Sequence, residues 1–379
     1  MIINNGNIFC DDGIFRKCDI ETRNGIIAAI GEKLINNEGG AVDATDCYVV
    51  PGIVDIHTHG AMGADFCDGT SEAIDTIAKH QLKNGITSFL GTTITLPEEQ
   101  LVKICETAKP HVNNADKTDT EKAVMRGVHL EGSFFSMERR GAHIPEYLVK
   151  PSLPMFDRLN EATGDNVCVV AVAPELPNAL EFIKEASKIH TVSLAHSAAS
   201  YDEAYAGFSA GASHVTHLFN GMSPFSHRDP GLVGAAFDFG AYVELITDGI
   251  HIHPAVVRAV FKMFDEDKIC LISDSMRACG LPDGQYDLGG QPVTVVGRKV
   301  TIADGTLAGS ATNLTDCMRT AVEFGVPFSK ALKAATINPA KSAGIDKDIG
   351  SLTIGKRADI LVLDKDLNIK NIIFNGDVI

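Results

Sequence analysis

Apolar and polar positions along the chain fall into two regimes. From residue 47 to about 276, short β-branched runs alternate with longer stretches; the runs are CYVVPGIVDIHTH, GITSFLGTT, MRGVHLEG, VCVVAVAPE, TVSLAHS, SHVTHLF, YVELITDG and CLISDS. Near-continuous apolar runs of this length read as strands buried on both faces. The stretches between them carry helix punctuation. Ser200 followed by Glu203 makes a capping box with Gly211 as its stop, and Pro97 and Pro254 take first-turn positions. Strand, helix, strand in this rhythm predicts right-handed crossovers and a parallel sheet, either closed as a barrel or open and doubly wound.

The polar residues favour the barrel. The eight runs end in His57 and His59, Thr92 and Thr93, Glu131, Glu175, His196, His217, Asp248 and Asp274. Strands that all end in potential ligands describe the C-terminal mouth of a (β/α)8 barrel, whereas an open sheet gathers such groups at one crevice. The predicted fold is α/β, a (β/α)8 TIM barrel over 47–346. The flanks read differently. Residues 1–46 form short strands around the turns Asp11-Asp12-Gly13 and Arg23-Asn24-Gly25, and 347–379 has the same character, so both ends are expected to join as one small β-sandwich domain. A Gly-punctuated stretch at 281–306 predicts a β insertion after the eighth strand.

Composition narrows the partners. A formal net charge of −16 with no Lys/Arg run argues against nucleic acid and anionic membranes. No stretch is apolar enough to cross a bilayer. An anionic small molecule remains admissible where local positive groups meet it. The N-terminus MIINNGNIFC lacks the parts of a signal peptide, and nine cysteines without a CxxC pair fit a reducing compartment, so a cytoplasmic location is expected.

The strand ends then suggest chemistry. A metal hydrolase needs His and carboxylate ligands on rigid elements, an open coordination position and a base near the water held there. His57, His59, Glu131, His196, His217 and Asp274 form such a set, each at the end of a predicted strand.

At this point the sequence resembles a known family. PGIVDIHTHG at the first strand, histidines on later strands, a late-strand Asp and the ending GSLTIGKRADILVLD are similar to the amidohydrolase superfamily. Within it, HLEGSFFSMERRGAH, THLFNGMSPFSHRDPGLVGAAF, DGIHIHP and LAGS resemble the N-acetylglucosamine-6-phosphate deacetylases along the whole chain. The resemblance implies Glu131, His196 and His217 as ligands of the main metal, Asp274 as the catalytic base and His143 as the contact to the acetyl carbonyl. It also implies His251, Asn220 and Gly221 on the phosphate side, with Arg228 reaching in from the neighbouring subunit of a homodimer. The cofactor implied is a divalent metal, zinc first, with iron, cobalt or manganese as alternatives.

His57 and His59 suggest a second ion bridged through Glu131, so one or two ions per subunit are expected; otherwise the pair lines the pocket. Ser133 after HLEG and the triplet Ser273-Asp274-Ser275 depart from the family's usual residues. Three other readings stand beside the first: an N-acetylgalactosamine-6-phosphate deacetylase, an amidohydrolase of another substrate, and a barrel that binds without catalysing. Glu131 in place of a bridging lysine on the fourth strand weighs against the second, and the filled site positions weigh against the third.

Overall fold

The computed structural model describes residues 1–34, 40–113 and 121–379. Among these, the strands β1 (Ile53–Thr58), β2 (Ile86–Thr92), β3 (Val124–Leu130), β4 (Val167–Val172), β5 (Thr191–Leu194), β6 (His214–Val215), β7 (Tyr242–Ile246) and β8 (Ile269–Ile272) pair in chain order as one sheet. All the pairings are parallel. The sheet closes at its mouth: the Asp274 N–H donates to the His57 carbonyl at 2.9 Å and the His59 N–H to the Ser275 carbonyl at 2.8 Å. Helices α1 (Ser71–Lys83), α2 (Glu98–Asn113), α3 (Leu153–Thr163), α4 (Ala179–Ala186), α5 (Tyr201–Ala210), α6 (Gly231–Phe239), α7 (Pro254–Met263) and α8 (Leu314–Glu323) follow the strands in turn. The molecule is a (β/α)8 barrel with a second β-sheet built from the two chain ends.

The near-continuous apolar runs follow from burial on both faces. On β7, Val243 and Leu245 pack in the layer shared with Leu232, Val257 and Phe261 of the helices. Ile246 instead joins Val54, Ile56, Leu90 and Ile272 in a separate cluster drawn from the strands. Each such side chain stabilises the fold by about 1.5–3 kcal/mol on burial. The helix signals are realised at the expected places. Ser200 and Glu203 form the reciprocal capping box of α5, which ends at Gly211, and Pro254 opens α7. Pro97 sits one residue before α2, where its carbonyl accepts from Leu101 N at 3.1 Å.

One expected strand is in fact two. CYVVPGIVDIHTH breaks at Gly52, and Tyr48–Pro51 leaves the barrel to pair antiparallel with Ile360–Leu363 and parallel with Ile2–Phe9. A Cβ at Gly52 would lie 2.1 Å from Thr87 Oγ1, so the chain passes β2 here only because the residue is glycine. The end sheet runs in the order Asp377–Val378, Ile369–Phe374, Ile360–Leu363, Tyr48–Pro51, Ile2–Phe9, Phe15–Arg23, Ile26–Gly31, with Ala41–Asp43 beside Ile2–Phe9. It covers a core of Ile3, Ile8, Ile20, Val49, Ile360 and Ile373. Arg23 pairs with Ile26 across a two-residue loop in which Asn24 and Gly25 have φ of 52° and 76°, as a type I′ hairpin turn requires. The insertion after β8 is a three-stranded antiparallel meander of Gly284–Leu288, Gln291–Val296 and Lys299–Thr301.

Candidate active site

The C-terminal ends of β1, β3, β5, β6 and β8 bring their polar residues into one cleft. At its floor Glu131 divides its two oxygens between two histidine pairs. Oε1 lies 3.3 Å from His196 Nε2 and 2.9 Å from His217 Nε2, while Oε2 lies 3.4 Å from His57 Nε2 and 3.1 Å from His59 Nε2. Asp274 faces the second pair, with Oδ1 3.6 Å from His57 and 3.3 Å from His59. The two-residue spacing of HTH therefore directs both rings at the same carboxylates, as strand periodicity demands.

Hydrogen bonds on the far side of each ring fix where its proton sits. His196 Nδ1 is 2.8 Å from the Arg139 carbonyl and His217 Nδ1 is 3.1 Å from the Asn220 carbonyl. His57 Nδ1 is 3.0 Å from Glu244 Oε2. Carbonyls and carboxylates only accept, so each Nδ1 carries the hydrogen and each ring, in its neutral form, turns an Nε2 lone pair inward. The Nε2 atoms of His196 and His217 then stand 3.1 Å apart with lone pairs converging, and His57 Nε2 is buried without a hydrogen bond among the described residues. Lone pairs arranged this way repel unless a cation lies among them. The donor set, imidazole nitrogens and carboxylate oxygens, fits a divalent transition metal.

His143 has the opposite tautomer. Its Nδ1 lies 2.8 Å from Thr95 Oγ1 and accepts from the Thr95 N–H at 3.4 Å, leaving a proton on Nε2, 3.3 Å from His196 Nε2. Burial, with His196 beside it, holds His143 well below the ordinary imidazole range, so it is a neutral donor. Burial drives the Asp274 carboxyl upward, but the charge of His57 and the hydrogen bond to His59 hold it down at about 2, leaving an ionised acceptor. His59 itself loses by burial yet rises to about 9 between Asp274 and Glu131. The backbone is unusual at the same residues: φ is 44° at His196, 29° at His217 and 47° at Asp274. Such conformations cost on the order of 1–3 kcal/mol each and cluster where side chains must be aimed.

The cleft above this centre is lined by His143, Asn220, Gly221, His251 and Leu288, with Thr306–Gly309 from the end of the insertion. Asp248 holds His251, accepting from Nδ1 at 2.8 Å and from its backbone N–H at 3.0 Å. The Asn220 side chain donates to the His217 and Leu218 carbonyls at 3.3 Å, so its amide braces the loop. Gly221 packs on His196: a Cβ there would be 2.8 Å from Nδ1. Arg228 is exposed on the loop before α6 and does not line the cleft of its own chain.

Other strand-end polar groups serve the scaffold. Glu175 accepts from Ser197 Oγ and from the Ala198 N–H, at 2.8 Å and 2.6 Å, and so holds the loop after β5. Thr93 Oγ1 accepts from the Glu131 N–H at 3.1 Å. The serines flanking Asp274 close the barrel, Ser273 Oγ donating to Asp55 at 2.6 Å and Ser275 Oγ lying 2.7 Å from Thr58 Oγ1. Reading the sequence missed Thr95 and Glu244. The second left a signal, a lone acid inside the apolar run YVELI; Thr95 left none, because a threonine in a loop is unremarkable.

The amidohydrolase family model matches residues 48–379. The chain is 37% identical over 336 residues to the N-acetylglucosamine-6-phosphate deacetylase of Bacillus subtilis (strain 168), a match covering 88% of this chain and 85% of that protein. It is 34% identical over 375 residues to the N-acetylgalactosamine-6-phosphate deacetylase of Escherichia coli O157:H7, covering 98% and 97%. Among solved structures, a mutant N-acetyl-D-glucosamine-6-phosphate deacetylase of Mycobacterium smegmatis in complex with N-acetyl-D-glucosamine-6-phosphate superposes with a TM-score of 0.93. That pair shares 29% identity and covers 100% of this chain and 98% of the other. With relatives matched over nearly their full length and a family model spanning the barrel, this chain belongs to the amidohydrolase family, in the group that holds these deacetylases.

Proposed function

We propose that this protein hydrolyses the N-acetyl group of N-acetyl-D-glucosamine 6-phosphate, giving D-glucosamine 6-phosphate and acetate. The observation that carries the reading is the convergence of Glu131, His196, His217 and Asp274 in the cleft of a chain whose full-length relatives are named for this chemistry. Glu131, His196 and His217 hold the main divalent ion and His57 and His59 a second. Zinc suits these donors, and iron, cobalt and manganese are the alternatives. An ion held there supplies Lewis-acid polarisation of the acetyl carbonyl and acidifies water.

The chain's own groups supply the rest. Asp274 takes the proton of the attacking water as its oxygen bonds to the acetyl carbon. The His143 Nε2–H donates to the carbonyl oxygen as negative charge develops there. Asp274 then returns the proton to the nitrogen as the C–N bond breaks, turning a poor leaving group into a neutral amine. His251 and the backbone around Asn220 and Gly221 receive the phosphate. Arg228 completes that pocket from a second copy of the chain, a placement supported by its exposure and by that of Phe225 on the same loop, 46% exposed. A homodimer follows from this reading.

N-acetylgalactosamine 6-phosphate is the second reading, favoured by the match to the Escherichia coli enzyme over 98% of this chain. Kinetics on both N-acetylhexosamine 6-phosphates and on the unphosphorylated sugars, with metal counted in the same sample, test both readings. The higher kcat/KM is expected for the glucosamine derivative. A preference for the galactosamine derivative reverses the order, and absence of acetate release from all of them refutes both.

A further inference from the structure

One layer deeper in the barrel, below the cleft, lies a carboxylate with no part in the reaction above. Glu244 of β7 is fully buried. Its Oε2 meets His57 Nδ1 at 3.0 Å and accepts from the His217 backbone N–H at 3.1 Å. Its Oε1 stands 3.7 Å from His214 Nε2, and the His129 ring packs against that of His57 with centroids 4.7 Å apart. A carboxylate withdrawn from water is costly unless paired. Glu244 makes its two hydrogen bonds to residues of the candidate metal centre, one from each histidine pair.

We propose that Glu244 is a positioning residue that enables the His57 side of the centre to hold a second divalent ion; this rests on the two-ion reading above. The carboxylate keeps the proton on His57 Nδ1, so Nε2 offers its lone pair towards Glu131 and Asp274. His59 has no such brace among the described residues, its Nδ1 being buried without a hydrogen-bond partner there. His57 is therefore the anchored member of the pair. The same oxygen fixes the His217 backbone where φ is 29°, coupling the second position to a ligand of the first. Charge points the same way. Glu131, Asp274 and Glu244 bring three carboxylates to the His57 ring; one divalent ion offsets two of their charges, and two ions offset all three. His57, His129 and Glu244 also have donor atoms within 4.8 Å of one another, but an ion among them would require His57 to surrender the proton it shares with Glu244.

The test compares metal-loaded wild type with E244Q and E244M, measuring metal per chain, the affinity of each ion by chelator competition, and the His57 tautomer by NMR of isotope-labelled histidine. The affinity of the weaker ion should fall roughly 10-fold in E244Q, whose amide oxygen still accepts both hydrogen bonds, and toward 100-fold in E244M, with the tighter ion retained. The His57 Nδ1–H signal should persist in E244Q and be lost in E244M. Wild-type affinity for both ions in E244Q and E244M overturns the proposal, and so does a third ion in wild type, held among His57, His129 and Glu244, that E244M loses. Should E244M not fold, wild-type affinity in E244Q alone overturns it. If wild type holds one ion per chain, the two-ion reading fails separately. The tautomer then decides the role of Glu244: loss of the signal in E244M supports positioning, and an unchanged signal refutes it.

Discussion

Which ring nitrogen of a site histidine faces the cleft depends on the partner of the other. At His196, His217 and His57 that partner is a backbone carbonyl or Glu244, whereas at His143 the Thr95 N–H reverses the tautomer and leaves a donor. The division of labour is therefore set by atoms around the rings. The residue types were legible in HTHG, HLEG and the late-strand Asp; their tautomers were not, because the deciding carbonyls belong to distant loops. Asp274→Asn should lower kcat by about 10²–10⁴-fold, the span of a lost general base, with metal content unchanged. Near-normal turnover in metal-replete protein would remove Asp274 from that role. Gly221→Ala tests whether the glycine serves the ring behind it, since a Cβ would sit 2.8 Å from His196 Nδ1 at a φ of 60°. It should weaken the tighter ion and lower activity; unchanged metal affinity would refute the packing argument.

At the scale of elements, the chain advertises its helices through their ends and its strands through runs buried on both faces. Ser200 caps α5 and Glu203 reaches back to it, a local device that needs no tertiary context. Ser200→Ala should cost about 1 kcal/mol in denaturant unfolding with kcat and KM unchanged. A loss within error would mean the box contributes nothing beyond what water supplies. The first run was misread because its apolar pattern continues through Pro51-Gly52. Only the close pass of Gly52 over Thr87 reveals that Tyr48–Pro51 belongs to the end sheet and Ile53–Thr58 to the barrel. Glu175 ends a strand as Glu131 and His196 do, yet it braces Ser197 and Ala198 while they meet in the cleft, and position along a strand could not distinguish the two uses.

For the whole molecule, the proposed reading makes the phosphate pocket incomplete in a single chain, because Arg228 lies on the outer surface. Mixing R228M with Asp274→Asn tests this, since hybrid dimers hold one site with both an intact base and a borrowed arginine. After subunit exchange, activity should recover to about a quarter of wild type, the random-mixing value for a symmetric dimer. No recovery would place Arg228 outside the partner's site. The sequence by itself determined the barrel and marked its strand ends as the place where polar groups gather, because burial on both faces and placement at the C-terminal mouth leave periodic, local marks. Tertiary structure decided which strand-end groups converge on Glu131, which nitrogen of each histidine is free, and that Glu244 stands behind His57. Those outcomes depend on contacts between residues as far apart in the chain as His57 and Glu244, and no local pattern encodes them.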